Sequence, residues 1–216
     1  MEYKCKKELD EKYQVEASFY KLDINGEEKQ CRRVADIKAK EGTYEKIDAY
    51  FVKMNPGGCK PNEEDEIVDD ADYKTMILRK VNSDATMVRV MNIMNELGWH
   101  YVRMLNVSDI REGKSEEAKR TLRDAINNGQ HEHCIFSHER RNELEELTKE
   151  DAIYVVACGC SDEVALYFSL YVEEYLKDKT LIGVKNEQGR YKHIKPSVKE
   201  SQIKIAEDLI KQIKAN

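Results

Sequence analysis

Residues 46–61 read KIDAYFVKMNPGGCKP. Ile47, Ala49, Tyr50, Phe51 and Val52 leave almost no polar surface, which is the pattern of a strand covered on both faces, as in a parallel sheet. The strand runs straight into Asn55-Pro56-Gly57-Gly58. Pro56 removes a backbone donor and fixes φ, while Gly57 and Gly58 permit positive φ and close approach. Such a turn can hold the Asn55 side chain rigidly and point N–H groups at a ligand, or it can simply end a strand. The chain has 3 prolines: Pro56 and Pro61 lie here, and Pro196 follows His193 in YKHIKPSV.

Outward from this stretch, strands and helices alternate. On the N-terminal side, YQVEASFYKLDINGEEKQCRRVADIKA reads as a β-hairpin turning at Asp23-Ile24-Asn25-Gly26. NEEDEIVDDAD is an acidic loop or short helix. Ser83 or Asp84 caps a helix through Leu97, with Met87, Val90, Met91 and Met94 on one face and Gly98 ending it. WHYVRMLNV is a second core strand, AIYVVACG a third and TLIGV a fourth. Helices follow in SEEAKRTLRDAINN, RRNELEELTK, DEVALYFSLYVEEYLKD and SVKESQIKIAEDLIKQIKA. This order predicts an α/β protein, a three-layer sandwich around a mostly parallel four-stranded sheet, with an N-terminal hairpin extension over about 13–40 and a core over about 45–215 of one domain. In such sheets ligands bind beyond the carboxyl ends of the strands, which here would gather Asn55, Asn106, Gly159 and His193.

Composition narrows the partners. The chain has 216 residues, of which 40% are hydrophobic and 36% charged, and its net charge of -6 argues against binding duplex DNA through an overall field. No apolar run approaches the roughly 20 residues that span a bilayer. The first residues, MEYKCKKELDEKY, lack the apolar core of a signal peptide, so the expectation is a cytoplasmic protein with 6 reduced cysteines.

Several clusters invite chemistry. The paired donor and acceptor of Asn106 suit the edge of a base, and also suit a turn. His193, in GRYKHIKPSVK, has Arg190, Lys192, Lys195 and Lys199 nearby; these cations favour a neutral imidazole that can donate to a developing oxyanion. His131, His133, Cys134 and His138 suggest a metal site, but their spacing matches no common zinc motif, so no metal or cofactor is assigned. Cys158 and Cys160 read as small core or turn residues, and Glu63, Glu64, Asp65, Glu66, Asp69, Asp70 and Asp72 as a solvated acidic loop.

In order and spacing, these motifs resemble the family called domain of unknown function 1643. Asn55-Pro56, then Asp84, Thr86 and Arg89, then Leu105-Asn106-Val107 with Arg111, then Gly159, then His193 fall where that family carries its motifs. Cys158 stands where Trp is usual, and Ile194 replaces a proline. More distantly, Met54-Asn55-Pro56-Gly57, Leu105-Asn106, Cys158-Gly159 and His193 to Ser197 resemble the uracil-DNA glycosylase superfamily. That resemblance implies its fold, with Asn55 placing water, Asn106 reading a flipped base and His193 stabilising the leaving base. Pro56, Gly57, Gly58, Arg89, Arg111, Gly159 and Ser197 would complete the substrate site.

Three functions compete. The first is hydrolysis of an N-glycosidic bond. The second is non-catalytic binding of a nucleobase, nucleotide or single-stranded nucleic acid. The third is an interaction protein whose pocket has no ligand. The sequence leaves the oligomeric state open.

Overall fold

The computed structural model describes residues 3–42, 46–62 and 72–216. A short helix, α1 (Lys6–Lys12), leads into the hairpin of β1 (Tyr13–Ile24) and β2 (Glu27–Ala39), which turns on Asn25-Gly26. There follow β3 (Ala49–Lys53), β4 (Arg79–Lys80), α2 (Ala85–Leu97), β5 (Tyr101–Asn106), α3 (Ser115–Asn127), α4 (Arg141–Leu147) and β6 (Ile153–Val156). The next helix starts as α5 (Asp162–Tyr167), passes through a π-helical turn at Phe168–Val172 and ends as α6 (Glu173–Leu176). Strand β7 (Leu181–Ile182) and helix α7 (Lys199–Lys214) close the chain.

The protein is α/β, but its sheet is not the mostly parallel four-stranded one expected. It is a mixed sheet of seven strands in the order β4-β1-β2-β5-β3-β6-β7. Strands β5, β3, β6 and β7 are mutually parallel neighbours, while β2 pairs antiparallel with β5 through Ala35↔Met104 and Ile37↔Val102. The hairpin is therefore a central part of the sheet and not an appendage. Its charges hid this. Arg32, Arg33 and Asp36 make β2 read as half solvated, yet all three are buried, and Asp36 is held by Arg103 through bonds of 2.8 and 2.9 Å. The acidic run lies outside the described residues except for Asp72, whose carboxylate accepts from the Lys74 N–H at 3.0 Å.

Helices cover both faces. Leu9 of α1, Met87, Val90 and Met94 of α2 and Ile205 and Leu209 of α7 meet Phe19, Ile37, Phe51, Met104 and Val155. On the other face Leu122 of α3, Leu144 of α4 and Val164 and Tyr167 of α5 meet Val34, Val52, Leu105 and Val156. Helix α2 begins where foreseen, with Asp84 accepting from the N–H groups of Thr86 and Met87 at 2.7 and 2.8 Å, and ends at Gly98. Among the described residues no helix is long and apolar enough to cross a membrane.

Candidate functional site

The carboxyl ends of β3 and β6 open onto a cleft of about 570 Å³. Its walls come from Lys53 to Gly57 at the end of β3, Asp84 and Thr86 at the start of α2, Glu112, Gly113 and Ser115 around the start of α3, Cys158 to Ser161 after β6, and His193 with Lys195 to Ser197 before α7. The parallel strands and the segments after them explain this convergence. Each crossover leaves a strand at this edge and enters a helix there, so helix N-termini and their positive dipole ends gather around the cleft.

Six of the expected residues line this cleft together: Asn55, Pro56, Gly57, Gly159, His193 and Ser197. Pro196 lines it too, so two of the three prolines stand on one site. Gly57 has φ +64 and Gly159 has φ +99, conformations that side chains resist; a Cβ on Gly159 would also stand 3.9 Å from that of His193. Gly58 does not use positive φ; its backbone nitrogen would lie 3.8 Å from a Cβ on Gly113. The Asn55 Nδ2 donates to the Glu112 carbonyl at 2.8 Å, which orients the amide, and its Oδ1 accepts no hydrogen bond among the described residues. The turn after β3 thus holds Asn55 with an acceptor to spare.

His193 has a defined tautomer. Its Nδ1 accepts the Lys195 N–H at 3.0 Å, which leaves Nε2 to carry the proton as a donor. Burial, with help from the Lys53 charge, pushes its pKa down to about 4, so the ring is neutral at physiological pH.

Four expected residues do not line the cleft: Gly58, beside it in the turn after β3, and three that stand elsewhere. Asn106 is fully buried, its Oδ1 accepting from Arg32 Nη2 at 2.9 Å and its Nδ2 donating to the Arg32 carbonyl at 3.3 Å and to Asp109 Oδ1 at 3.4 Å. Its amide is occupied inside the protein and does not line the cleft. Arg89 lies against the Tyr3 ring, 4.7 Å from its centroid, and Arg111 against Phe19 at 5.4 Å. Neither reaches the cleft.

The His131–His138 segment builds an aromatic network. His133 Nε2 and His131 Nδ1 share the Tyr167 hydroxyl at 2.8 and 3.3 Å, and His138 meets the edge of Tyr171. Burial pushes His133 down to about 3. Among the described residues no group of three or more His, Cys, Asp or Glu is placed to hold a metal ion. Cys158 is a buried thiol pushed up to about 12, and the Cys160 thiol lies 3.3 Å from the Tyr191 carbonyl.

Two residues were not foreseen as site chemistry. Lys53, the last residue of β3, is 3% exposed yet lines the cleft. Burial lowers its pKa to about 8, against the pull of Asp84 and together with the repulsion of Arg32. Burial works to raise the Asp84 pKa, but Lys53 and the helix N–H groups outweigh it and hold the carboxyl below its usual range. The signal for Lys53 was present: it is the one charge inside an otherwise apolar strand, just before the Asn-Pro turn. The sequence reads Asp84 as a helix cap and as a motif position of the family resemblance, not as a partner of Lys53.

A second hollow of about 420 Å³ adjoins the cleft at Cys158 and Gly159, with Phe168 and Tyr191 among its walls. Comparison with family models, curated proteins and solved structures gives no match.

Proposed function

We propose that this cleft binds a nucleobase- or nucleotide-like ligand and hydrolyses its N-glycosidic bond, in a fold related to the uracil-DNA glycosylases. The observation that carries the reading is the meeting of Asn55 and His193 on one cleft, with an open Oδ1 on the first and a neutral Nε2–H donor on the second. Asn55 Oδ1 would accept from a water that attacks the anomeric carbon. The glycosidic electron pair would pass to the leaving base, whose developing charge the His193 Nε2–H would meet, and the water would lose its proton to solvent. The starts of α2 and α3, at Thr86 and Ser115, together with Lys195, favour a ligand that also carries negative charge.

Chromatographic detection of free base from nucleotides and short uracil-containing single strands tests this reading. Wild-type protein is expected to release base, and Asn55→Ala and His193→Ala to lose roughly 10²-fold in rate each, the scale of one lost transition-state contact. Equal release by all three proteins would remove these residues from the reaction.

Asn106 favours the second reading, binding without catalysis. The residue that the glycosylase resemblance casts as base reader is tied to Arg32 and Asp109. Ligand binding with no base release from any substrate would select that reading.

A further inference from the structure

The cleft contains an amine that glycosidic hydrolysis leaves without a task. We propose that Lys53 Nζ is a nucleophile that condenses with the carbonyl group of an aldose-phosphate-like substrate held in this cleft, forming an imine. This inference rests on the cleft being a ligand site and names the class of ligand that would react there.

Geometry carries it. Lys53 follows Ala49 and Phe51 on the face of β3 that α2 covers, is almost wholly buried, and lines the cleft, where its charge acts on Asp84 and His193. Three other cations drawn out of solvent are matched to carboxylates: Arg33 and Arg140 to Glu143, and Arg103 to Asp36. The Lys53 Nζ makes no hydrogen bond or ion pair among the described residues. The groups that act on it are Asp84, Arg32, Cys59 and His193. Asp84 spends one oxygen on the first N–H groups of α2 and so only partly offsets the ammonium. Arg32 adds positive charge: it is fully buried, and its Nε and Nη1 have no hydrogen-bond partner. A neutral amine relieves this excess of positive charge, and the depressed pKa of about 8 agrees.

The chemistry balances without an oxidant or reductant. The amine lone pair attacks the carbonyl carbon, and a proton moves from nitrogen to oxygen to give a carbinolamine. The C–O bond then breaks, oxygen leaves as water with the second amine hydrogen, and a C=N bond forms. The neutral His193, on the same cleft, can hand on these protons. Glycosidic cleavage frees a sugar hemiacetal whose open form is an aldehyde, so the two reactions can follow one another in one site.

Reductive trapping of the full chain tests the proposal. The protein would be incubated with ribose 5-phosphate and cyanoborohydride at pH 7, and the adduct on each lysine measured by peptide mass spectrometry. Lys53 is expected to be labelled at least tenfold faster than the exposed Lys199. In Lys53→Arg, which keeps the charge, the fast-labelled site should vanish. Labelling of Lys53 no faster than Lys199 would overturn the imine. A nucleotide-induced rise in melting temperature that persists in Lys53→Arg would then show that the cleft reading survives without it; loss of both would remove both.

Discussion

Two charged clusters are buried at the carboxyl edge of the sheet, and they are built in opposite ways. In the first, Arg140 bonds Asp109 at 2.7 Å and Glu143 at 2.6 and 2.9 Å, Tyr20 donates to Asp109 at 2.9 Å, and Arg33 pairs with the same Glu143. Burial works to raise the Glu143 pKa, but Arg140 and Arg33 hold it below the usual carboxylate range. In the second, Lys53, Asp84 and His193 line a cleft, and the Lys53 Nζ has no bonded partner among the described residues. In the first cluster Arg140, Asp109, Glu143 and the Tyr20 hydroxyl close their hydrogen bonds on one another, as a structural network must. The second leaves donors and an acceptor facing open space, the arrangement that the proposed ligand would complete.

The sharpest way to break the contrast is to remove one partner from each side. Arg140→Met should cost about 3–5 kcal/mol in urea unfolding, because Asp109 and Glu143 would be left buried and unmatched. Lys53→Met should cost nothing, since it removes an unmatched buried charge. A loss on the Arg140 scale would mean that Lys53 is structurally paired after all.

Titration sharpens the same point. A lysine with its folded pKa lowered from 10.5 to about 8 binds fewer protons folded than unfolded between these values, so stability rises as pH rises through that window. At 1.36 kcal/mol per pKa unit, wild-type protein should gain about 3 kcal/mol relative to Lys53→Met across it. Parallel curves would contradict the burial of an unmatched amine. His193 acts in the same sense at lower pH: its folded pKa is depressed from 6.5 to about 4, so stability falls as pH drops through that range, and His193→Gln should flatten the fall.

The two asparagines give the next contrast. Asn106→Ala strips Arg32 of its buried partner and should cost about 1–3 kcal/mol while leaving ligand preference unchanged. Asn55→Ala should change stability by less than about 1 kcal/mol, because one half-buried bond to the Glu112 carbonyl is lost, and should act instead on turnover. The reverse pattern would return Asn106 to the site.

Much of the architecture was readable. The apolar run at 49–52 marked a strand buried on both faces, Asp84 and Gly98 marked the ends of α2, and the alternation of strands and helices placed Asn55, Gly159 and His193 on one edge. The rank of β2 was not readable. Arg32, Arg33 and Asp36 look like surface residues unless their partners Asn106, Glu143 and Arg103 are known, and those lie 67 to 110 residues away. The same long-range pairing misled the reading of Asn106. A strand-end amide facing a ligand and one facing a buried arginine have the same local sequence. Lys53 escaped notice because a lone charge at a strand end reads as solvated until its burial is seen.

The central claim is that the unsaturated cluster, and not the saturated one, receives a ligand. Melting temperature measured with free bases, nucleosides, nucleotides and short single strands tests it most directly. A ligand at about 100 times its dissociation constant should add roughly 2.7 kcal/mol. Such a shift is expected with nucleotides, kept in Asn106→Ala and weakened in His193→Ala. No shift from any of these compounds in a folded protein, or a shift lost in Asn106→Ala and kept in His193→Ala, would contradict it.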